Sequence, residues 1–327
     1  MKPFSTFVKF ALLFLLTAVV SCKKDDVSPA DYSKFYRIKP FEVGVIPEQR
    51  TVQVLFQVTN YEGKGVASLL EDDFIVTENK GKIDSEADLR VGISSIPFEL
   101  KTVLLLDITR SVEGFVPQIK AAARSLVESK LTDQQIAIYT FDSNTHQVQD
   151  FTKNKSELLN AIDAIPESGL VNSTNLYGAV IDVADLWEDN YTIDGIVDGS
   201  LVIFTDGRHN ASQNITLAQA QSALGTRRAY VAALASPDLD ENALRSLALD
   251  PDRYFKADDT AGLEQMFIDI QSEIQSLSNS IYFLYYQSPI SDPAPFLNEL
   301  KIEIKDNLNH GKDSYIMELF NSEGFGN

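Results

Sequence analysis

The chain has 327 residues, with 28 Lys and Arg against 47 Asp and Glu and a formal net charge of −19. That balance excludes a nucleic-acid partner, because phosphate binding needs a Lys/Arg face, and excludes docking on anionic lipid through a polybasic patch. A single Cys and three His rule out an intramolecular disulfide and a Cys-based metal centre, and leave little room for a His-rich one.

Residues 1–21 read as a signal segment. Lys2 and Lys9 precede an apolar run from Phe10 to Val20 of 11 residues, well short of the ~20 needed to span a bilayer. Val19-Val20-Ser21-Cys22 resembles the lipobox of bacterial lipoproteins, and the only Cys of the chain stands where that motif needs it. The resemblance implies cleavage before Cys22, lipidation there, and a mature charge of −21 once Lys2 and Lys9 are gone. Two acylated groups would make a stable membrane anchor. Lys23-Lys24-Asp25-Asp26 is similar to the short acidic signal that sends some Gram-negative lipoproteins to the outer face of the outer membrane, and it also reads as a plain solvated tether. Residues 22–34 are therefore expected to form a flexible tether, and the expected location is the bacterial outer membrane, at the cell surface, with the periplasmic face as the alternative.

Thr51 to Val58 alternates polar and apolar residues, as a half-buried strand does, Tyr61 to Gly65 is a turn, and Phe74 to Glu78 is a second strand. Val103 to Leu106 is a continuous apolar run, the pattern of a strand buried on both faces. Helical spacing follows in Ile119, Ala122, Ala123, Leu126 and Val127. Then come a strand at Ile136–Phe141, helices at Ser156–Ile165 and Asn175–Trp187, and a second fully apolar strand at Leu201–Phe204. A helix near Leu217–Leu224, a strand at Ala229–Ala235 and a helix at Glu241–Leu249 follow. A last helix carries Leu263, Phe267, Ile270, Ile274, Leu277 and Ile281 on one stripe, with Asp258-Asp259-Thr260 placed to cap it. The acids between Asp182 and Asp198 lack the spacing of a calcium loop and read as a solvated face. Ile281–Tyr286, Leu300–Ile304 and Tyr315–Leu319 are three further strands. Strand–helix alternation from 101 to 280 predicts an α/β fold, a doubly wound, mostly parallel sheet with helices on both faces. Ligands of such sheets bind at the carboxyl ends of the strands.

Both central strands end in acids. The first runs into Asp107-Ile108-Thr109-Arg110-Ser111, and the other into Thr205-Asp206-Gly207, while Asn172-Ser173-Thr174-Asn175 opens a helix. One acid and two hydroxyls at alternating positions can aim three oxygens at a point, and an acid and a hydroxyl from neighbouring loops complete a hard-oxygen cage. Such a cage suits Mg²⁺, Mn²⁺ or Ca²⁺ and not zinc or copper. Arg110, Asn175, Arg208 and His209 border it as candidate ligand-rim residues.

Asp107-x-Thr109-x-Ser111, then Thr174, then Asp206-Gly207 resemble the metal-ion-dependent adhesion site of von Willebrand factor A domains, the fold of integrin inserted domains. The resemblance spans about 101–280 and includes the flanking Thr174-Asn175-Leu176-Tyr177 and Phe204-Thr205-Asp206-Gly207. It implies that Thr109 and Ser111 contact the metal directly, that Asp107, Thr174 and Asp206 do so directly or through water, and that a protein ligand supplies a carboxylate oxygen. Thr109 departs from the more usual Ser but keeps the hydroxyl, so the departure bears on affinity. The stretch 58–78 is similar to the immunoglobulin-like module that often precedes bacterial A domains. Neither flank carries many strands, so residues 35–96 and 281–320 are expected to pair into one β-sandwich, two separate small β-domains being the other arrangement. Three functions fit these residues: surface adhesion through the metal, a periplasmic scaffold using the same chemistry, and metal-dependent hydrolysis. Hydrolysis fits worst, since only His209 could serve as a base and no nucleophile is present. The chain is accordingly expected to be a binding protein and not an enzyme.

Overall fold

The computed structural model describes residues 29–93, 96–207, 209–211, 214–237, 239–291 and 297–326. The signal segment 1–21, Cys22, the first part of the expected tether and Arg208 lie outside the described residues. The end of that tether departs from expectation: Pro29–Lys34 is a 3-10 helix. Its Tyr32 ring lies 4.2 Å from the ring of Tyr61, which Phe35 meets edge-on at 5.7 Å. Burying aromatic surface orders a segment that composition alone marks as a linker.

Five strands come first: β1 (Tyr36–Ile46), β2 (Thr51–Asn60), β3 (Phe74–Glu78), β4 (Gly81–Ile83) and β5 (Arg90–Ile93). The α/β region follows as β6 (Phe98–Asp107), α1 (Val116–Glu128), β7 (Gln135–Phe141), β8 (Thr145–Thr152), α2 (Lys155–Asp163), α3 (Leu176–Ala184) and β9 (Asn190–Thr192). It continues through β10 (Gly195–Thr205), α4 (Leu217–Leu224), β11 (Arg228–Leu234), α5 (Glu241–Leu247), β12 (Tyr254–Ala257) and α6 (Leu263–Ser278). The chain closes with β13 (Ile281–Gln287), β14 (Leu297–Ile304) and β15 (Tyr315–Asn321).

The central sheet has the order β12-β11-β10-β6-β7-β8, with β9 paired to β10. The pairs from β12 to β7 are parallel, and β8 and β9 are antiparallel. The unbroken apolar runs follow from this layering. Leu104, Leu106, Val202 and Phe204 pack against α1 and α6 on one face, where they meet Ile119, Leu126, Phe267 and Ile274. Val103, Leu105, Leu201 and Ile203 pack on the other face against Leu176, Val180 and Leu244. Strand β8 escapes sequence reading because its sequence, THQVQDFT, has no apolar period and lies at the sheet edge. Strand β1 escapes because its register shifts between Pro40 and Glu42.

The stripe from Leu263 to Leu277 is buried on α6, whereas Ile281, expected on the same stripe, is buried as the first residue of β13, and the expected cap acts one turn earlier. Asp259 accepts from the Ala261 N–H at 3.0 Å, capping the 3-10 turn Thr260–Gly262, and α6 starts behind Gly262 without a side-chain cap. The solvated face expected for Asp182 to Asp198 also fails at its end. Asp198 is fully buried and paired with the Arg228 guanidinium, and it accepts from Tyr191 at 2.5 Å and Ser278 at 2.9 Å.

The remaining strands form two four-stranded sheets, β1-β2-β13-β5 and β15-β14-β3-β4. Each contains strands from before and after the α/β region, and their facing sides share a core of Val54, Phe56, Val76, Tyr282, Tyr286 and Ile302. The C-terminus of α6 is tied to β2, since the Gln57 amide donates to the Leu277 carbonyl at 3.0 Å and to the Ser280 hydroxyl at 3.1 Å. Strands β6 and β10 start beside these sheets, where Ile196 packs with Leu55 and Ile281. They end at the far edge of the α/β region, roughly 30 Å away at about 3.3 Å per residue.

One acid lies inside the sandwich core. Glu78 is 4% exposed and accepts from the Tyr286 and Ser288 hydroxyls at 2.8 Å each. Burial pushes its carboxyl above the ordinary value, against the pull of those two hydroxyls. The folded state then holds this proton to higher pH than the unfolded chain does, so its contribution to stability falls as pH rises through the folded value. Glu78→Gln is expected to remove that part of the decline, raising the melting temperature at pH 7 and leaving it nearly unchanged near pH 4. Parallel melting curves of wild type and variant would refute this.

Candidate functional site

The site forms because β6 and β10 are adjacent and parallel, with Leu106 opposite Phe204, so the residues following them emerge side by side. Asp107 is the last residue of β6 and has no exposed surface. Its Oδ1 accepts from the Thr109 N–H at 2.9 Å and the Thr109 hydroxyl at 2.6 Å, and its Oδ2 accepts from the Thr205 hydroxyl at 2.7 Å. Burial pushes the Asp107 carboxyl up to about 6, opposed by these hydrogen bonds and reinforced by the nearby Asp206.

From Asp107 the oxygens continue as a chain. Thr109 Oγ1 lies 3.0 Å from Ser111 Oγ, which donates to Asp206 Oδ1 at 2.8 Å. Asp107, Thr109, Thr174 and Asp206 are all less than 5% exposed, whereas Ser111 opens to solvent. The backbone that carries Thr174 is sewn across this row. The Arg110 N–H donates to the Val171 carbonyl at 2.8 Å, and the Thr174 N–H donates to Asn210 Oδ1 at 2.7 Å. Ser236, just after β11, donates its hydroxyl to the Asp206 carbonyl. A cleft of ≈ 340 Å³ opens over Ser111, Thr174 and Asp206, with Phe115 and Pro237 as apolar walls.

All five expected oxygen donors thus face one region, with two carboxylates and three hydroxyls. Among the described residues no group of three His, Cys, Asp or Glu side chains could hold a metal, so a cation here would rest on hard, mostly neutral oxygens.

The rim residues fare differently. Arg110 is exposed beside Ser111. Asn175 is 5% exposed, and its side-chain oxygen serves as the N-cap of α3, accepting from the Gly178 N–H at 3.3 Å. His209 stacks on Tyr177 at 4.4 Å, and its Nδ1 accepts from the Tyr177 N–H at 3.4 Å. Sequence reasoning missed Asn210, Thr205 and Ser236. Thr205 had a visible signal in its place beside Asp206, but Asn210 sits in a polar loop where no local pattern sets it apart.

The model of the von Willebrand factor type A domain matches residues 102–269, just over half of the chain. The chain belongs to the von Willebrand factor type A domain family. Solved structures similar to this von Willebrand factor A protein include the von Willebrand factor domain of the type V pili tip protein Mfa5 from Porphyromonas gingivalis. It has 14% identity and a TM-score of 0.47, over 56% of this chain and 96% of that one. A von Willebrand factor type A protein from Catenulispora acidiphila has 12% identity and a TM-score of 0.47, over 88% of this chain and 72% of that one. Proximal thread matrix protein 1 from the mussel byssus, with a zinc-occupied metal-ion-dependent adhesion site, has 15% identity and a TM-score of 0.46 over 61% of this chain. The likeness spans about half the length of the mussel protein, 50%. No relative was found among curated proteins.

Proposed function

We propose that this chain is a divalent-cation-dependent binding module of the bacterial envelope, lipidated at Cys22 and engaging a carboxylate-bearing protein ligand through the cation. Thr109 and Ser111 would hold Mg²⁺, or Mn²⁺ or Ca²⁺ in its place, with Asp107, Thr174 and Asp206 completing the set directly or through water. The observation that carries this reading is a proton count. Each hydroxyl has one proton; Thr109 directs its own at Asp107 and Ser111 directs its own at Asp206. Two hydroxyl protons thus serve three oxygen–oxygen contacts, of 2.6, 3.0 and 2.8 Å, and with both carboxylates ionised one contact is left without a proton, an arrangement that a cation would relieve. A cation bound there would be electrophilic and would present a coordination position to an outside carboxylate oxygen.

The reading is of binding and not of catalysis. His209, the candidate base, is held against Tyr177, and of the hydroxyls that line the cleft among the described residues, Ser111, Thr174 and Ser236, Ser111 donates to Asp206 Oδ1 and Ser236 to the Asp206 carbonyl. The site lies at the far edge of the α/β region from the β-sandwich, and the chain enters through the sandwich. An anchor at Cys22 would therefore hold the sandwich towards the outer membrane and present the site away from it.

Titration calorimetry tests the cation. Wild type is expected to take up one Mg²⁺ or Mn²⁺ per chain, reversed by EDTA, with a rise in melting temperature by mass action; absence of uptake overturns the reading. In capture experiments on cells of the same or a neighbouring species, the main partner should be lost with EDTA and with Thr174→Ala. Its recovery under both conditions would make the cation irrelevant to binding.

A further inference from the structure

We propose that the outer face of the β1-β2-β13-β5 sheet binds a neutral saccharide, in a site separate from the oxygen cluster of the α/β region. A cavity of ≈ 500 Å³ lies on this face, within the range of small-ligand clefts. Strand register builds its floor: Tyr285 stands between Gln53 of β2 and Arg90 of β5, and Phe283 stands between Leu55 and Gly92. The two rings lie 6.0 Å apart at 44°. At Gly92 a side chain would meet nothing within 4 Å, so β5 leaves the Phe283 side of the face open. Alternation along β13 turns these two half-buried rings to the outer face, where Phe283 also packs against Leu55, Ile196 and Ile281, while Tyr282 and Tyr286 fill the core.

The polar lining selects the chemistry. Gln49, Gln53, Gln287 and Thr51 surround the rings, and amides both donate and accept, as ligand hydroxyls require. Among the described residues neither the Gln53 amide nor the Tyr285 hydroxyl has a hydrogen-bond partner. Asp88 is the one charged residue lining the cavity, and it lies 2.8 Å from Arg90. An anionic ligand thus meets no uncommitted cation there, and a cationic one meets no uncommitted acid. A sugar ring has an apolar C–H face to lay on aromatic rings and hydroxyls around its rim for the amides, which is the complement of this surface.

Affinity electrophoresis of the full chain through gels containing mannan, dextran, xylan, galactan or mixed-linkage β-glucan tests the proposal. Retardation by at least one of them is expected, unchanged by EDTA and by Asp107→Ala. Tyr285→Ala and Gln53→Ala, checked for folding by circular dichroism, should each weaken the association roughly three- to tenfold. If Tyr285→Ala unfolds, Gln53→Ala decides alone. Absence of retardation in every gel overturns the proposal, as does retardation that both variants retain. Retardation lost with EDTA would assign saccharide binding to the oxygen cluster and would equally overturn it.

Discussion

Asp107→Ala is expected to abolish Mg²⁺ uptake and leave the sheet folded. The residue ends β6 and is fully buried, but its oxygens meet the Thr109 and Thr205 hydroxyls and not the apolar layers that hold the strand, so its loss leaves a small gap among polar groups. Two effects on stability oppose each other. Removal takes away a desolvated carboxylate whose proton affinity burial has raised to about 6. It also strips an acceptor from the Thr109 N–H and from the Thr109 and Thr205 hydroxyls, and each buried donor left unpaired costs about 1–3 kcal/mol. Asp107→Asn keeps an acceptor and the side-chain volume, so it separates folding from binding. Loss of an outer partner of a metal ligand already lowers affinity about 10–100-fold, and loss of a proposed ligand should lower it by at least about 100-fold in both variants. Calorimetry that finds either folded variant within about tenfold of wild type would remove Asp107 from the proposed ligand set.

The largest stability effect is expected at the opposite end of β10. Burial alone would raise the Asp198 carboxyl, but the Arg228 guanidinium, with Tyr191 and Ser278, outweighs it and holds the group below the usual carboxylate range. The same pairing raises Arg228 despite its burial. Asp198→Ala leaves that guanidinium buried without its anion, which typically costs about 3–5 kcal/mol, a large share of the roughly 5–15 kcal/mol that holds a domain folded. Arg228→Met in the Asp198→Ala background removes the stranded charge and should recover much of the loss, so the double variant melts above the Asp198→Ala single. Because the folded Asp198 carboxyl is depressed, its stabilisation is complete above the unfolded value and is lost as pH falls through the folded one. Wild-type stability should therefore decline more steeply than that of the double variant as the solution is acidified. Chemical denaturation of the three proteins measures these terms, and equal stability of Asp198→Ala and wild type would show that the pair contributes nothing.

How much of this was legible in the sequence differs from residue to residue. Val103–Leu106 and Leu201–Phe204 announce strands covered on both sides, because only a sheet between two helical layers hides every residue of a strand. An acid within two residues of the end of each run then marks where the chain leaves the sheet at its carboxyl edge. Local pattern reports which way a side chain faces and where an element stops, and that sufficed for the α/β class and for the loops that carry Asp107, Thr109, Ser111, Thr174 and Asp206.

It did not suffice where a residue's surroundings come from distant parts of the chain. Asp198 reads as one more acid in a polar stretch, yet Arg228, Tyr191 and Ser278 arrive from β11, β9 and α6 to enclose it. Asn175 reads as part of a binding rim, yet its oxygen is spent on the first turn of α3. Asn210, in a loop without any pattern, ties down Thr174 across 36 residues. The layers of the α/β region and the acids at its strand ends were legible because both follow from periodicity within a few residues. That β13 lies between β2 and β5, which oxygens share protons, and which polar groups are buried could not be read locally, because these depend on contacts whose energies arise between segments far apart in the chain.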